Sequence, residues 1–188
     1  MKQSFYDALT DCPVIAAIKD DEGLEKCLES EIKIVFILYG DILKIPEIVE
    51  RIKEKGKLAV VHLDLLTGLA GKEVAVDFIK KTTRADGIIS TKMPLIKRAK
   101  ELDLVTVFRF FVIDSMAFDN IKKQYEMVSP DMVEILPGIM PKIISRVSRM
   151  IPSPLIAGGL IAEKTDVIAA IEAGAISISS TNQKMWFI

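Results

Sequence analysis

The sequence predicts a compact (β/α)8 barrel, with a short helix ahead of the first strand and a last helix cut down to a turn. Three observations carry this. Short apolar segments alternate with segments of helical apolar spacing, eight times in succession between Val14 and Ser180. The short segments are apolar along their whole length, as parallel strands are when both faces are covered. Glycine and proline fall where strand–turn–helix units need punctuation.

Taken in order, residues 4–9 read as a helix, which Cys12-Pro13 breaks before the strand 14–18. That strand ends at Lys19-Asp20. Residues 24–28 are helical, and the strand 34–38 follows, ending at Tyr39-Gly40-Asp41. Pro46 suits the first turn of the next helix, whose Ile48, Val49 and Ile52 keep helical spacing until Gly56. The third strand, 58–63, brings His62 and Asp64 to its end, two residues apart and so expected on one side. The loop Thr67-Gly68-Leu69-Ala70-Gly71 leads to a helix over 73–81, and a short strand, 87–89, ends at Ser90-Thr91-Lys92. Helix 94–100, strand 105–112 with Arg109, and helix 116–127 make the next unit, and strand 132–136, carrying Glu134, ends at Pro137-Gly138. Helix 142–150, strand 154–157, helix 163–173 and strand 175–179 complete the series. Eight residues after Ser180 leave room only for a turn, with Trp186 and Phe187 packed on the barrel wall or on a partner subunit, which leaves a homo-oligomer open.

Composition bounds the rest. A chain of 188 residues, half of them hydrophobic, fits one domain, 1–188, with a sizeable core. No apolar run approaches the roughly 20 residues that span a bilayer, and MKQSFYDALTDC is no signal peptide. A cytoplasmic protein with no membrane partner is expected. Cys12 and Cys27 are too few for a disulfide framework or a zinc set and read as buried free thiols. With 25 basic against 26 acidic residues, the overall charge does not advertise nucleic-acid binding.

The stretch LIAGGLIAEKTDVIAAIEAGAISISSTN organises the candidate site. Gly158-Gly159 follows one strand, and Ser179-Ser180-Thr181 ends the next. Glycines let N–H groups approach an anion, hydroxyls add donors, and barrels of this kind commonly hold phosphate after strands seven and eight. The other strand ends contribute Lys19, Asp41, Asp64, Lys92, Arg109 and Glu134. Three cations and three carboxylates on the face that carries function suit a small, phosphorylated, hydroxylated ligand. Arg109 and Glu134 read equally well as a structural ion pair. His62 reads as a hydrogen-bonded interior residue, with a general base as the alternative. No catalytic residue is assigned, and no ligand set with tight metal spacing is present.

In order along the chain, PVIAAIKD (13–20), FILYGDI (36–42), VVHLDLLTGL (60–69), DGIISTK (86–92), FRFFVIDS (108–115), VEILPGIMPK (133–142), PLIAGGLI (154–161) and AISISSTN (175–182) resemble the glycerol uptake operon antiterminator regulatory protein family. The likeness covers nearly the whole chain, and EILPGIMPK with AGGLI is its most specific part. It implies a barrel that takes glycerol 3-phosphate as effector, with no cofactor, and then binds the leader mRNA of glycerol-use genes. The sequence carries no RNA-module signature, so RNA binding would fall to local cations. Candidates are Lys80-Lys81 with Arg84, Lys97-Arg98 with Lys100, Lys122-Lys123, and Lys142 with Arg146 and Arg149. The last set lies nearest the sixth and seventh units and is the one expected to meet RNA. The alternative is a small barrel enzyme, an isomerase, aldolase or phosphodiester hydrolase acting on a triose or glycerol phosphate, with His62, Asp64, Lys92 and Glu134 as its acids and bases.

Overall fold

The computed structural model describes residues 3–187. Eight parallel strands close into a barrel in sequence order: β1 (Val14–Ile18), β2 (Ile34–Ile37), β3 (Leu58–His62), β4 (Gly87–Ser90), β5 (Val105–Phe111), β6 (Met132–Leu136), β7 (Leu155–Gly158) and β8 (Ser177–Ser180). Pairing of β1 with β8 shuts the ring. Helix α1 (Gln3–Asp11) precedes it, and α2 (Asp21–Glu29), α3 (Ile45–Glu54), α4 (Val74–Thr82), α5 (Met93–Glu101), α6 (Ser115–Val128), α7 (Pro141–Met150) and α8 (Lys164–Glu172) are the crossovers. A 3-10 turn, Gln183–Phe187, stands after β8, as the length of the tail requires.

Alternation along each strand sorts the core into two. Val14, Ala16 and Ile18 of β1 face the helices, whereas Ile15 and Ala17 face the axis with Ile34, Phe36, Val60, Val107 and Ile156. Helix α1 closes the N-terminal mouth of the barrel: Phe5 and Leu9, one turn apart, are buried in the axial cluster. Sequence periodicity predicts that helix but not its role as a plug. At the other mouth the axial positions turn polar. Next beyond Val60, Val107, Met132 and Ile156, two residues on, come His62, Arg109, Glu134 and Gly158, while β8 turns Ser177 and Ser179 inward. The alternation that fills the interior therefore also delivers the polar groups to one end.

Two expectations need correction. β3 ends at His62, and Asp64 lies in a 3-10 turn, Leu63–Leu65, so strand alternation does not relate their side chains. Trp186 is buried and donates from Nε1 to the Ser180 carbonyl at 2.9 Å, but Phe187 is 60% exposed. Both cysteines are free, but Cys12 is only half-buried; burial pushes the Cys27 thiol up to about 11. Among the described residues, no helix is long and apolar enough to cross a membrane.

Candidate functional site

The floor of the C-terminal mouth is a buried polar bridge across four strands. Arg109 on β5 and Glu134 on β6 are register partners, and Arg109 Nε donates to Glu134 Oε2 at 2.5 Å. On its other side Glu134 accepts at Oε1 from Ser179 Oγ of β8, also at 2.5 Å. β7 lies between, and a Cβ at Gly158 would stand 2.5 Å from Glu134 Oε1 and 2.6 Å from Ser179 Oγ. The bare glycine lets the carboxylate cross beneath it. Glu134 is wholly buried with both oxygens engaged, by Arg109 and by Ser179, so it holds its neighbours and has no acceptor to spare for a ligand. Arg109 is 6% exposed, yet its terminal amino groups make no hydrogen bond among the described residues and are not sealed from solvent. The structural ion pair, one of the two readings open for these residues, is formed, and the guanidinium keeps donors to spare.

His62 stands in the same axial layer at the end of β3, with β4 between it and β5. Burial first, then the positive charge of Arg109, pushes its imidazole down to about 4, with Asp64 offsetting only part. The ring is neutral at pH 7. Contrary to the expectation of a hydrogen-bonded core histidine, Nδ1 is buried without a partner, alone in this among the described side-chain polar atoms. Such an atom costs about 1–3 kcal/mol and calls for a reason.

The rim above is built from loops. After β7, Gly159 and Leu160 take φ of +78° and +63°, a left-handed geometry that costs a leucine roughly 1–2 kcal/mol. The N–H groups of Gly159, Leu160 and Ile161, and of Thr181 after β8, donate no hydrogen bond among the described residues. Successive free N–H groups in such a turn form a concavity suited to an anion. The hydroxyl of Ser180 is engaged elsewhere: it donates to the Ile161 carbonyl at 2.8 Å, and Asn182 Nδ2 donates to the Ala162 carbonyl at 3.1 Å, tying the loops after β7 and β8 together. The Gly138 N–H donates to the Gly159 carbonyl at 3.0 Å, which joins the loop after β6 to the same body.

The remaining candidates are scattered around the rim. Lys19 is exposed at the end of β1 on the axial side of the alternation, with no ion pair among the described residues. Asp64 accepts from Thr91 N at 2.7 Å and from the Ser90 and Thr91 hydroxyls, with Lys92 Nζ at 3.6 Å. Burial pushes its carboxyl up, but those hydrogen bonds outweigh it and hold it below the usual range. Asp41 accepts from the N–H groups of Leu43 and Lys44 and so serves the entry to α3. Thr181 is exposed at the rim. The structure thus gathers Arg109, Glu134, Gly158 and Ser179 into one contiguous group, with Gly159 and Thr181 above it. Asp64 and Lys92 form a separate cluster, and Asp41 a third. The signal for His62 was in the sequence, as the axial residue after Val60; its missing partner was not.

Lys142, Arg146 and Arg149 lie exposed along α7 and line its groove with α8. The Arg146 guanidinium sits 4.0 Å from the centre of the Phe118 ring, and Arg149 bonds within its own helix to Ser145. None of the three has an ion-pair partner among the described residues. In the other candidate sets Arg98 is bound by Asp77 and Glu101, Arg84 by Glu50, Lys122 by Glu126, and Lys100 donates to two backbone carbonyls, while Lys80, Lys81, Lys97 and Lys123 make no ion pair among the described residues.

Residues 14–186 match the family model described as glycerol-3-phosphate responsive antiterminator. The uncharacterized protein YgcP of Escherichia coli (strain K12) is 46% identical over 174 residues, which is 93% of this chain and 91% of that one. A glycerol uptake operon antiterminator regulatory protein from Listeria monocytogenes str. 4b F2365 superimposes with a TM-score of 0.89 at 32% identity, covering 92% of this chain and 94% of that one. A glycerol uptake operon antiterminator-related protein from Thermotoga maritima MSB8 does so at 0.81 and 31%, covering 93% and 98%.

Proposed function

Because the chain belongs to the family of glycerol-3-phosphate responsive antiterminators, we propose that it binds glycerol 3-phosphate in the barrel mouth and, so loaded, binds the leader mRNA of glycerol-use genes along α7. The phosphate sits on the free N–H groups of Gly159, Leu160, Ile161 and Thr181, with Lys19 as counter-charge, and the glycerol end points to the floor. The observation that carries this reading is the contiguity of the two halves: Gly158 belongs to the floor, and the next residue opens the N–H cup. Glycerol 3-phosphate acts as an effector, and the protein works without a cofactor.

Coupling to RNA has a short physical path. The Gly138 N–H holds the Gly159 carbonyl, and three residues after Gly138 the chain enters α7 at Pro141, just before Lys142. An anion that draws the cup N–H groups inward pulls on the loop that sets the N-terminal turn of α7. The unpaired cations of α7 supply the local stripe that a chain of net charge −1 needs in order to meet a polyanion.

Thermal denaturation with glycerol 3-phosphate tests the ligand half. A ligand held only by the folded state adds about 2.7 kcal/mol at a hundredfold excess over its dissociation constant. Gly159→Val, at φ +78° and with a Cβ 3.1 Å from Leu136 Cδ2, is expected to abolish that shift. The same incubation is followed for turnover: stabilisation without turnover supports the sensor, whereas consumption of the ligand favours a barrel enzyme. An unchanged shift in the variant contradicts the phosphate assignment.

A further inference from the structure

We propose that His62, with the free amino groups of Arg109, reads the hydroxyl at the far end of the ligand, making the site selective for a phosphate ester that ends in an uncharged CH2OH group. The inference rests on the reading that the mouth holds a small phosphate ester, and it names the residue and the chemistry that select among such esters. Three observations carry it. His62 is 3% exposed on the axial side of β3 at its last residue, where the apolar interior gives way to the mouth. No other described residue hydrogen-bonds to either ring nitrogen, and among the described residues Nδ1 is the one buried side-chain polar atom left without a partner. The charged neighbour, Arg109, is already compensated by Glu134.

The chemistry follows from counting charges and lone pairs. Arg109 brings +1, Glu134 −1 and a neutral imidazole nothing, while Asp64, which also acts on the ring, is offset by Lys92, so the floor is electrically balanced before any ligand enters. A carboxylate or second phosphate at that end would add an uncompensated buried charge; a hydroxyl would not. A neutral imidazole offers one donor and one acceptor, and a hydroxyl can answer either, whichever tautomer is present. It can at the same time accept from the Arg109 amino groups. A methyl group answers neither and leaves both residues unpaired, which is the circumstance in which hydrogen-bonding sites discriminate most strongly.

Calorimetric titration of the whole chain decides the matter with three ligands: glycerol 3-phosphate, the analogue with methyl in place of the terminal CH2OH, and the analogue with carboxylate there. The wild type is expected to bind the parent at least about tenfold more tightly than either analogue. His62→Phe should bring the parent most of the way toward the methyl analogue's affinity, Arg109 keeping the remainder, while moving the methyl analogue itself by less than about threefold. His62→Gln, which restores a donor and an acceptor, should recover part of the preference. Equal binding of all three ligands by the wild type overturns the inference and leaves the phosphate site standing, and that result needs no variant to fold. An equal loss of parent and methyl analogue in folded His62→Phe also overturns it, since it marks a structural role. If neither these esters nor inorganic phosphate binds the wild type, the ligand reading falls and the inference with it.

Discussion

Glu134 and His62 show how differently two polar side chains in one barrel mouth can be served. Glu134 is satisfied from both sides, by Arg109 and by Ser179, and Gly158 is bare so that it can be. His62 is not satisfied, and this has a measurable consequence. The folded chain does not protonate the ring until the pH nears 4, whereas the unfolded chain takes up that proton below about 6.5. Between those values the unfolded state holds more protons, so stability falls as the pH falls, by up to about 1.4 kcal/mol per pH unit, and the loss levels off below the folded value. Carboxylates titrate mainly below this window, and His62 is the sole histidine of the chain. Urea unfolding from pH 7 down to 4 is therefore expected to lose stability in the wild type and to show a much flatter profile in His62→Phe; a flat wild-type profile contradicts the burial argument. Strand alternation alone suffices to bring Arg109 and Glu134 to the mouth. The orphaned Nδ1 was beyond it, because whether a partner reaches that atom depends on side chains from several strands at once.

Among the elements, α7 ties the site to the surface. Its apolar positions Ile144 and Val147 pack inward, which turns Lys142, Arg146 and Arg149 outward, and it starts at Pro141, directly after the loop clasped to Gly159. Lys142→Glu with Arg146→Glu is expected to weaken binding of a glycerol-operon leader RNA and to flatten its salt dependence. Every RNA phosphate deprived of its cation takes about 0.7 to 0.9 from the slope of log affinity against log salt. Filter binding across a salt series reads both effects, and glycerol 3-phosphate affinity without RNA should barely move. An unchanged slope would put the RNA elsewhere. The helices and strands themselves were legible, because eight repeats of apolar run, turn and amphipathic segment leave little choice. The 3-10 turn that carries Asp64 was not, since Leu63-Asp64-Leu65 continues the apolar run of β3 and only the hydrogen bonds from Ser90 and Thr91 turn it aside. Nor was the plug formed by α1, whose Phe5 and Leu9 announce a buried stripe without saying which end of the barrel receives it.

At the scale of the molecule, the barrel has two unlike ends: one closed by α1 and the apolar axis, the other open and polar, with free N–H groups on its rim and a balanced ion pair in its floor. The closed ring was legible from the count of units, and the polar end from reading only the residues at each strand's finish. The unpaired backbone donors were not, because they depend on the path of the loops after β7 and β8. Both ends of the proposed function meet in one coupling, which we propose runs from anion binding at the rim through the clasped loops to α7. Linkage makes that coupling symmetric, since an effector that tightens RNA binding by some factor must itself be tightened by RNA to the same extent. The most direct measurement is a pair of titrations on the wild type, leader RNA with and without saturating glycerol 3-phosphate, and glycerol 3-phosphate with and without saturating RNA. Equal enhancement factors above one in both directions are expected, while a leader that binds equally well with and without the ligand, or fails to bind even at low salt, would contradict the coupling.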